Sequence, residues 1–484
     1  MSSSPFLDAL ARDYPLELSA DTMRSMVAQS LARAIDHIET LPTQDAAVEG
    51  GGEALARRLA ESLPEHGTPF RDLLDLFFDE ATPTSFNTAS PGYLAYIPGG
   101  GLFHSAVADF LSDVANRYVG VWVAAPGWVQ LEVNVIRWFC DIVGYGSRAG
   151  GVLTTGGSLA NLMAIITARR ERLPDDFVNA TLYTSDQTHH SVQKAAVLAG
   201  FPAANVRSVR TDSKYRVVVD EVQRNISDDR RAGKIPFCIV GNAGTTNTGA
   251  VDDLDGLADL AERDGLWLHC DAAYGGFFAM TERGRLVLKG LSRVDSMSLD
   301  PHKGLFLPYG TGGLLVRDVG TLRRAHTQFA DYMPNMQSET DFVDFCQLSP
   351  ELSRDFRGLR VWLPLKMHGA AVFREALNEK LDLAQWATDR LRELEGIEIL
   401  AEPQLSVVAF RLNPAGVASD RLNDLNREFL RRINERKRVY LTATMLGDVY
   451  ALRICVLSFR THRDRMESCL EDVAAAAVEV TSRD

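Results

Sequence analysis

Two short apolar runs between Leu266 and Leu307 constrain this 484-residue chain more than any other feature. The first, Leu266-Trp267-Leu268-His269-Cys270, ends in Asp271-Ala272-Ala273. The second, from Val294 to Leu299, alternates apolar and polar residues and ends in Asp300-Pro301-His302-Lys303-Gly304. Short apolar runs stopped by small or turn-forming residues have the pattern of buried strands. Two such strands bring an acid and an amine to the same edge of a sheet. In open α/β sheets the ligand crevice lies at the carboxyl ends of the strands.

The rest of the chain supplies the matching context. From about residue 91, apolar strand-like runs alternate with helical patterns, the mark of a mostly parallel sheet with helices on its faces. Strands are expected at 152–155, 181–184, 206–210, 237–241, 266–270, 295–299 and 312–316. A helix follows the first of them, from Ser158 to about Arg172, with Leu159, Leu162, Met163 and Ile166 as its buried stripe. Others start near His189, Val218 and Asp253. After Pro364 a long helix runs to about Leu394. A smaller α+β unit follows, with strands at 398–400, 407–412, 439–442 and 452–456 and helices at about 419–435 and 464–480. Residues 1–90 carry a helical pattern broken by Pro42, Gly50-Gly51-Gly52 and Pro64. Three short helices do not make a core, so this segment is expected to pack on something else, with a partner subunit as a candidate. The expected organisation is therefore an α/β protein in three parts: 1–90, 91–364 and 365–484.

Charge and composition narrow the function. A net charge of −13 argues against nucleic acid and against an anionic membrane surface as partner. No stretch approaches the roughly 20 apolar residues of a membrane span, and the first residues, MSSSPFLDALARDYP, lack the pattern of a secretory signal. The six cysteines form no CxxC pair. That disfavours zinc and thioredoxin-like chemistry, so no metal is expected, and it suits a reducing cytoplasm.

Several short motifs carry chemistry. Thr154-Thr155-Gly156-Gly157-Ser158 lies between a strand and a helix, where backbone N–H groups form a seat for a phosphate. It reads equally as an ordinary βα turn with a serine cap. His189-His190 follow Ser185-Asp186-Gln187 at a strand end. An imidazole there can stack on a flat aromatic ligand or cap the next helix, and the bland reading is kept for His190. Gly244-Thr245-Thr246-Asn247-Thr248-Gly249 is a hydroxyl-rich loop or a tight turn. Asp271 ends an apolar run, and a buried carboxylate needs a partner. Lys303 sits in PHKGLFLP, a setting that does not suit a solvated lysine.

An acid and a buried lysine at one sheet edge are what a pyridoxal 5′-phosphate (PLP) enzyme needs. The lysine forms the Schiff base and the acid partners the pyridinium nitrogen. Ala272 and Ala273 are small enough to let a flat ring lie against the backbone. A lysine partly desolvated beside a cationic cofactor is expected to have a lowered pKa.

In order along the chain, SPGYLAYIP, APGWVQLE, TTGGSLANLMAIITAR, SDQTHHSVQKA, GTTNTGAVDDL, WLHCDAAYGG, DPHKGL and FRGLRVW make the chain resemble the group II PLP-dependent decarboxylases. This family holds aromatic L-amino-acid, glutamate, cysteine-sulfinate and 2,4-diaminobutyrate enzymes. The resemblance covers about Asn87 to Gly369. It implies PLP fold type I, aspartate-aminotransferase-like, with a large seven-stranded domain, a homodimer, and the N-terminal helices wrapped on the partner. It implies Lys303 as the Schiff-base lysine and Asp271 on the ring nitrogen. His189 would stack on the ring, with Ala273 beneath it. Gly157, Ser158 and His302 would lie near the phosphate, and Thr246 by the cofactor or the substrate carboxylate. Tyr332, in HTQFADYMPNMQSETD, matches the loop tyrosine that returns a proton to the substrate carbon. Phenylalanine there goes with oxygen-consuming aldehyde synthesis.

Two positions depart from the family pattern. Asp300 replaces the usual asparagine, so its carboxylate is expected to turn from the phosphate or to need a cation or proton. Asn87 to Pro91 stand where the aromatic-specific enzymes carry a Trp and a His. The expected activity is decarboxylation of an L-amino acid to an amine and CO2, with an aromatic substrate favoured and Tyr93, Ile97 and residues near Trp122 from the neighbouring subunit as pocket candidates. The alternatives are an aldehyde synthase, an aminotransferase clamping the substrate carboxylate with Arg357 or Arg360, and an inactive descendant that binds PLP or a partner.

Overall fold

The computed structural model describes residues 16–48, 50–327 and 342–482. The chain divides at Ser90 and Pro91 into two compact units.

The smaller unit contains the helices Ala20–Thr40, Gly52–Leu59 and Phe70–Asp75, the last running on into a π-helical turn, Leu76–Ala81. Ser19 caps the first helix, its Oγ accepting from the Thr22 N–H at 3.1 Å. These helices bury none of their residues, and Met23, Val27, Leu31 and Ile35 are exposed in the single chain.

The larger unit is built on a seven-stranded sheet. Its strands are β1 (Gly150–Thr154), β2 (Ala180–Ser185), β3 (Val206–Val209), β4 (Ile235–Asn242), β5 (Trp267–Asp271), β6 (Ser296–Leu299) and β7 (Gly312–Val316). Their spatial order is β1-β7-β6-β5-β4-β2-β3. All run parallel except β7, which pairs antiparallel with both β1 and β6. Strands covered by helices on both faces read as continuous apolar runs rather than alternating ones. β5, for example, is buried at all five positions.

Because the six parallel strands share a direction, their carboxyl ends lie along one edge. The turns that follow β1, β2, β4, β5 and β6 are the motifs singled out above.

A second sheet is antiparallel and four-stranded, in the order β10-β11-β9-β8. It comprises β8 (Ile397–Ala401), β9 (Val407–Leu412), β10 (Thr442–Leu446) and β11 (Val449–Cys455). Its apolar face packs against the helices Leu422–Asn434 and Arg463–Thr481 and the second half of a long helix, Gly358–Arg392.

Two expectations are corrected here. The long helix starts at Gly358, with Pro364 inside it, and breaks at Gly369, whose φ of 74° is left-handed. The strand expected at 439–442 is Thr442–Leu446 instead. Val439-Tyr440-Leu441 is buried without joining the ladder, and Tyr440 makes a lone bridge to Tyr93.

All six cysteines are free. Five are buried, and Cys346 is half-buried.

Candidate active site

A cavity of about 270 Å³ opens at the carboxyl edge of the large sheet. Each parallel strand that borders it contributes the residues just past its end. β1 leads into Thr155 to Leu159, β2 into His189, β4 into Gly244 to Thr246, β5 ends at Asp271 and leads into Ala273, and β6 leads into Asp300, His302 and Lys303. Gly157, Ser158, His189, Thr246, Asp271, Ala273, His302 and Lys303, eight expected site residues, thus line one cavity. Tyr332 lies outside the described residues. Among the described residues lining the cavity, Tyr93, Ile97 and Trp122 do not appear. Tyr93 stacks on Tyr440, and Trp122 on Phe342.

The turn after β1 starts the Gly157–Arg172 helix with Gly156 at its cap position and no side-chain cap. Ser158 is therefore not the capping residue. The first N–H groups of a helix without a side-chain cap carry partial positive charge into the cavity and suit an anion. The packing is close: a Cβ on Gly157 would lie 3.1 Å from both the Ala273 Cβ and Asp300 Oδ2.

Asp271 is buried, and its carboxylate is fully engaged. Oδ1 accepts from the Ala273 N–H at 3.2 Å and from Ser298 Oγ at 3.1 Å. Oδ2 accepts from Asn161 Nδ2 at 3.0 Å. Burial pushes this carboxyl up, but the Lys303 ammonium and the Asn161 amide more than offset it and hold it below the usual carboxylate range.

His189 takes the capping role and also faces the cavity. It caps the helix His190–Leu198, its Nδ1 accepting from the Ser191 N–H at 3.3 Å, and it lines the cavity. Burial lowers its pKa, so the ring is neutral at ordinary pH. His302 Nδ1–H donates to the Thr311 carbonyl at 2.6 Å.

Lys303 departs from expectation. Its Nζ lies 2.8 Å from Asp300 Oδ2. Burial would lower the pKa of the amine, but the charge and hydrogen bond of Asp300, with Asp271 behind, raise it above the ordinary lysine value. Asp300 faces the cavity with the Lys303 ammonium as its counter-charge. Asp300 is 2% exposed, and its Oδ1 is buried without a hydrogen-bond partner among the described residues.

Three residues that matter here have roles that sequence reasoning missed. Asn161 sits on the buried face of its helix and reads as a polar residue in an apolar stripe. Asp300 reads only as a departure from a motif. Arg453, on β11, is buried and holds the Gly244–Gly249 loop through the Asn247 carbonyl at 2.8 Å and the Thr246 carbonyl. Its one hint is a basic residue within the apolar run YALRICVL. Arg357 and Arg360 are both engaged by carboxylates, Arg357 by Glu351 and Asp355 and Arg360 by Asp109, and neither lines the cavity.

A mostly parallel sheet with a half-buried lysine, a buried acid and a helix start at one cavity fits a PLP-dependent enzyme of fold type I. Comparison with known proteins narrows the class. Residues 53–413 match the pyridoxal-dependent decarboxylase conserved domain. The chain is 35% identical to an aromatic-L-amino-acid decarboxylase of Bacillus atrophaeus, across 96% of this chain and 98% of that protein. It is 30% identical to an aromatic-L-amino-acid decarboxylase of Catharanthus roseus, across 95% and 93%. Among solved structures, Catharanthus roseus tryptophan decarboxylase in complex with L-tryptophan superposes with a TM-score of 0.89 at 28% identity, covering 96% of this chain and 99% of that one. The Oryza sativa TDC crystallised with PLP and tryptamine gives 0.91 at 26%, with the same coverage. The chain belongs to the pyridoxal-dependent decarboxylase family and is a PLP-dependent amino-acid carboxy-lyase.

Proposed function

We propose that this enzyme converts an aromatic L-amino acid to the corresponding amine and CO2, with Lys303, Asp271 and His189 as the groups that meet the cofactor. The observation that carries this reading is the convergence of Lys303 and Asp271 on one cavity beside the uncapped start of the Gly157–Arg172 helix. That donor set fits PLP: an amine for its aldehyde, a carboxylate for its ring nitrogen, and helix N–H groups at Gly157 and Ser158 for its phosphate. The cofactor supplies a cationic ring that takes up the electron pair released at the α-carbon.

The chain's own residues do the rest. Asp271, held ionised, keeps positive charge favourable beside it. The His189 imidazole, fixed by Ser191, offers a flat face, and Ala273 leaves room opposite. His302 and Thr246 line the walls. Water exclusion favours loss of neutral CO2 over retention of a charged carboxylate. Tyr332 is the proposed proton donor to the α-carbon, which makes the amine the product rather than an aldehyde. The engaged states of Arg357 and Arg360 speak against an aminotransferase clamp.

The aromatic preference rests on the relatives, which include tryptophan and tyrosine decarboxylases. An L-2,4-diaminobutyrate decarboxylase of Acinetobacter baumannii, 28% identical, marks the competing substrate class. The proposed working form is a cytoplasmic homodimer. Support comes from the apolar face left exposed by the N-terminal helices and from the free cysteines. No helix of the described residues is long and apolar enough to cross a membrane.

The test is a substrate panel on the PLP-loaded enzyme, covering the common amino acids, DOPA, 5-hydroxytryptophan, ornithine and 2,4-diaminobutyrate, with CO2, amine, aldehyde and 2-oxo acid all measured. Amine and CO2 from an aromatic substrate is the expected result. Turnover confined to diaminobutyrate, or 2-oxo acid without CO2, would overturn the proposal.

A further inference from the structure

Asp271 is one end of a hydrogen-bonded chain that runs under the sheet edge through fully buried side chains. Its junction is Asn161, which is 1% exposed. Asn161 Nδ2 donates to Asp271 Oδ2 and to Ser191 Oγ, each at 3.0 Å, and Asn161 Oδ1 lies 3.0 Å from His269 Nε2. An amide oxygen can only accept, so His269 carries its hydrogen on Nε2. His269 Nδ1 must then accept, and the Ser296 hydroxyl 2.8 Å away donates to it. Ser296 Oγ in turn accepts from the Trp267 indole N–H at 2.9 Å.

On the other side of the junction, the Ser191 hydroxyl accepts from Asn161 and is 2.8 Å from His189 Nδ1. That nitrogen already accepts the Ser191 backbone N–H. The hydroxyl therefore donates to it, and the hydrogen of His189 is left on Nε2. Every proton in the chain has one place. Flipping the Asn161 amide would turn its oxygen toward a carboxylate and its nitrogen toward an N–H, which costs three buried hydrogen bonds and creates a repulsion.

We propose that His269 is a positioning residue for the decarboxylation: acting through Asn161, it fixes at once the carboxylate of Asp271 and the Ser191 hydroxyl that holds the His189 ring. This rests on the reading of Asp271 and His189 as the groups that meet the cofactor. His269 touches neither cofactor nor substrate in this role. It orients the two groups that do.

The experiment compares His269→Gln, His269→Asn and His269→Ala in the PLP-loaded enzyme. A glutamine amide can reach the place of the imidazole Nε2 and still donate to Asn161. An asparagine amide reaches only the place of Nδ1. The readouts are the absorption spectrum of the bound cofactor, its dissociation rate, kcat and thermal melting. Loss of one buried hydrogen bond that leaves its acceptor unpaired is worth about 10- to 100-fold. The expected result is therefore a kcat lowered about 10- to 100-fold in H269N and H269A, with an altered cofactor spectrum, while H269Q stays within a few-fold of the parent.

A merely structural histidine would give three variants that melt alike and whose folded fractions share the parental spectrum, and that outcome would overturn the proposal. So would H269Q behaving no better than H269N. If H269A does not fold, Asn161→Asp, which keeps the side-chain shape but cannot donate to Asp271, carries the test: a parental spectrum in folded N161D would equally overturn it. Asp271→Asn is the control. An unchanged spectrum in D271N would sink the underlying reading of the site, whereas a changed spectrum in D271N with parental H269A would sink the positioning role alone.

Discussion

The pairing of Asp300 with Lys303 sets the state in which the enzyme meets its cofactor. An amine attacks an aldehyde only when neutral, yet here burial, which favours the neutral amine, is outweighed by the two carboxylates that hold the ammonium. Asp300→Asn removes the nearest negative charge that raises the pKa and leaves burial to act. Capture of PLP, followed as the appearance of yellow colour that borohydride bleaches, is then expected to be faster than in the parent at each pH scanned from about pH 6 to pH 9. A rate that does not change, or falls, would show that Asp300 does not govern the amine. Asp271→Asn makes a different point. An amide of the same shape keeps an acceptor for the Ala273 N–H but cannot hold a positive charge opposite it. A kcat lowered about 10²- to 10³-fold, the usual cost of losing one preorganised electrostatic group, is expected. The protein should still fold and still turn yellow.

At the scale of elements, the site depends on how closely β7 approaches the turn after β1. A Cβ on Gly312 would fall 2.5 Å from the Gly156 Cα and 2.8 Å from Asp300 Oδ1. Gly312→Ala must therefore push back the helix start or the acid. Overpacking of this kind costs about 1–3 kcal/mol. If it falls on the phosphate seat, PLP affinity measured by equilibrium dialysis is expected to drop about tenfold or more. The strands that build this edge were legible in the sequence because they are apolar runs closed by Gly, Asp or Pro, and all seven appear within two residues of their expected bounds. The hairpin of the small sheet was not. β10 is the half-exposed Thr442-Ala443-Thr444-Met445-Leu446, turned back at Gly447 with its φ of 60°, and it lacks a hydrophobic signal of its own. The more apolar stretch before it drew the reading away. Lys303, Asp271 and the glycine turn were legible because each ends an apolar run. Asn161, Ser191 and Arg453 were not, since their meaning comes from partners that are close only in the folded chain: His269 lies 108 residues from Asn161, and the Asn247 carbonyl lies 206 from Arg453.

For the whole molecule, acid is the expected weak side. Burial, aided by the nearby Arg170, pushes His326 down to about 4, and burial also lowers His189, His269 and His302. An unfolded histidine takes its proton near pH 6.5, whereas these take theirs later in the folded chain. Between the two values the unfolded state binds more protons, so stability falls as pH drops through that window. For His326 alone the loss is on the order of 3 kcal/mol between about pH 6.5 and pH 4. Urea midpoints measured across this range should fall steeply in the parent and less steeply in His326→Gln. An equally steep fall in both would assign the acid limb to other groups.

The sequestered cysteines give the molecule a built-in reporter of its own integrity. Burial raises the thiol pKa of Cys140, Cys238, Cys270, Cys455 and Cys469 and denies reagents access, while Cys346 keeps partial contact with solvent. Burial raises the Cys346 thiol as well, so a chromogenic disulfide reagent should modify this one accessible sulfur ahead of the other five in the intact protein and all six once the core opens. The slow phase of labelling would then time the opening of the interior without any added probe.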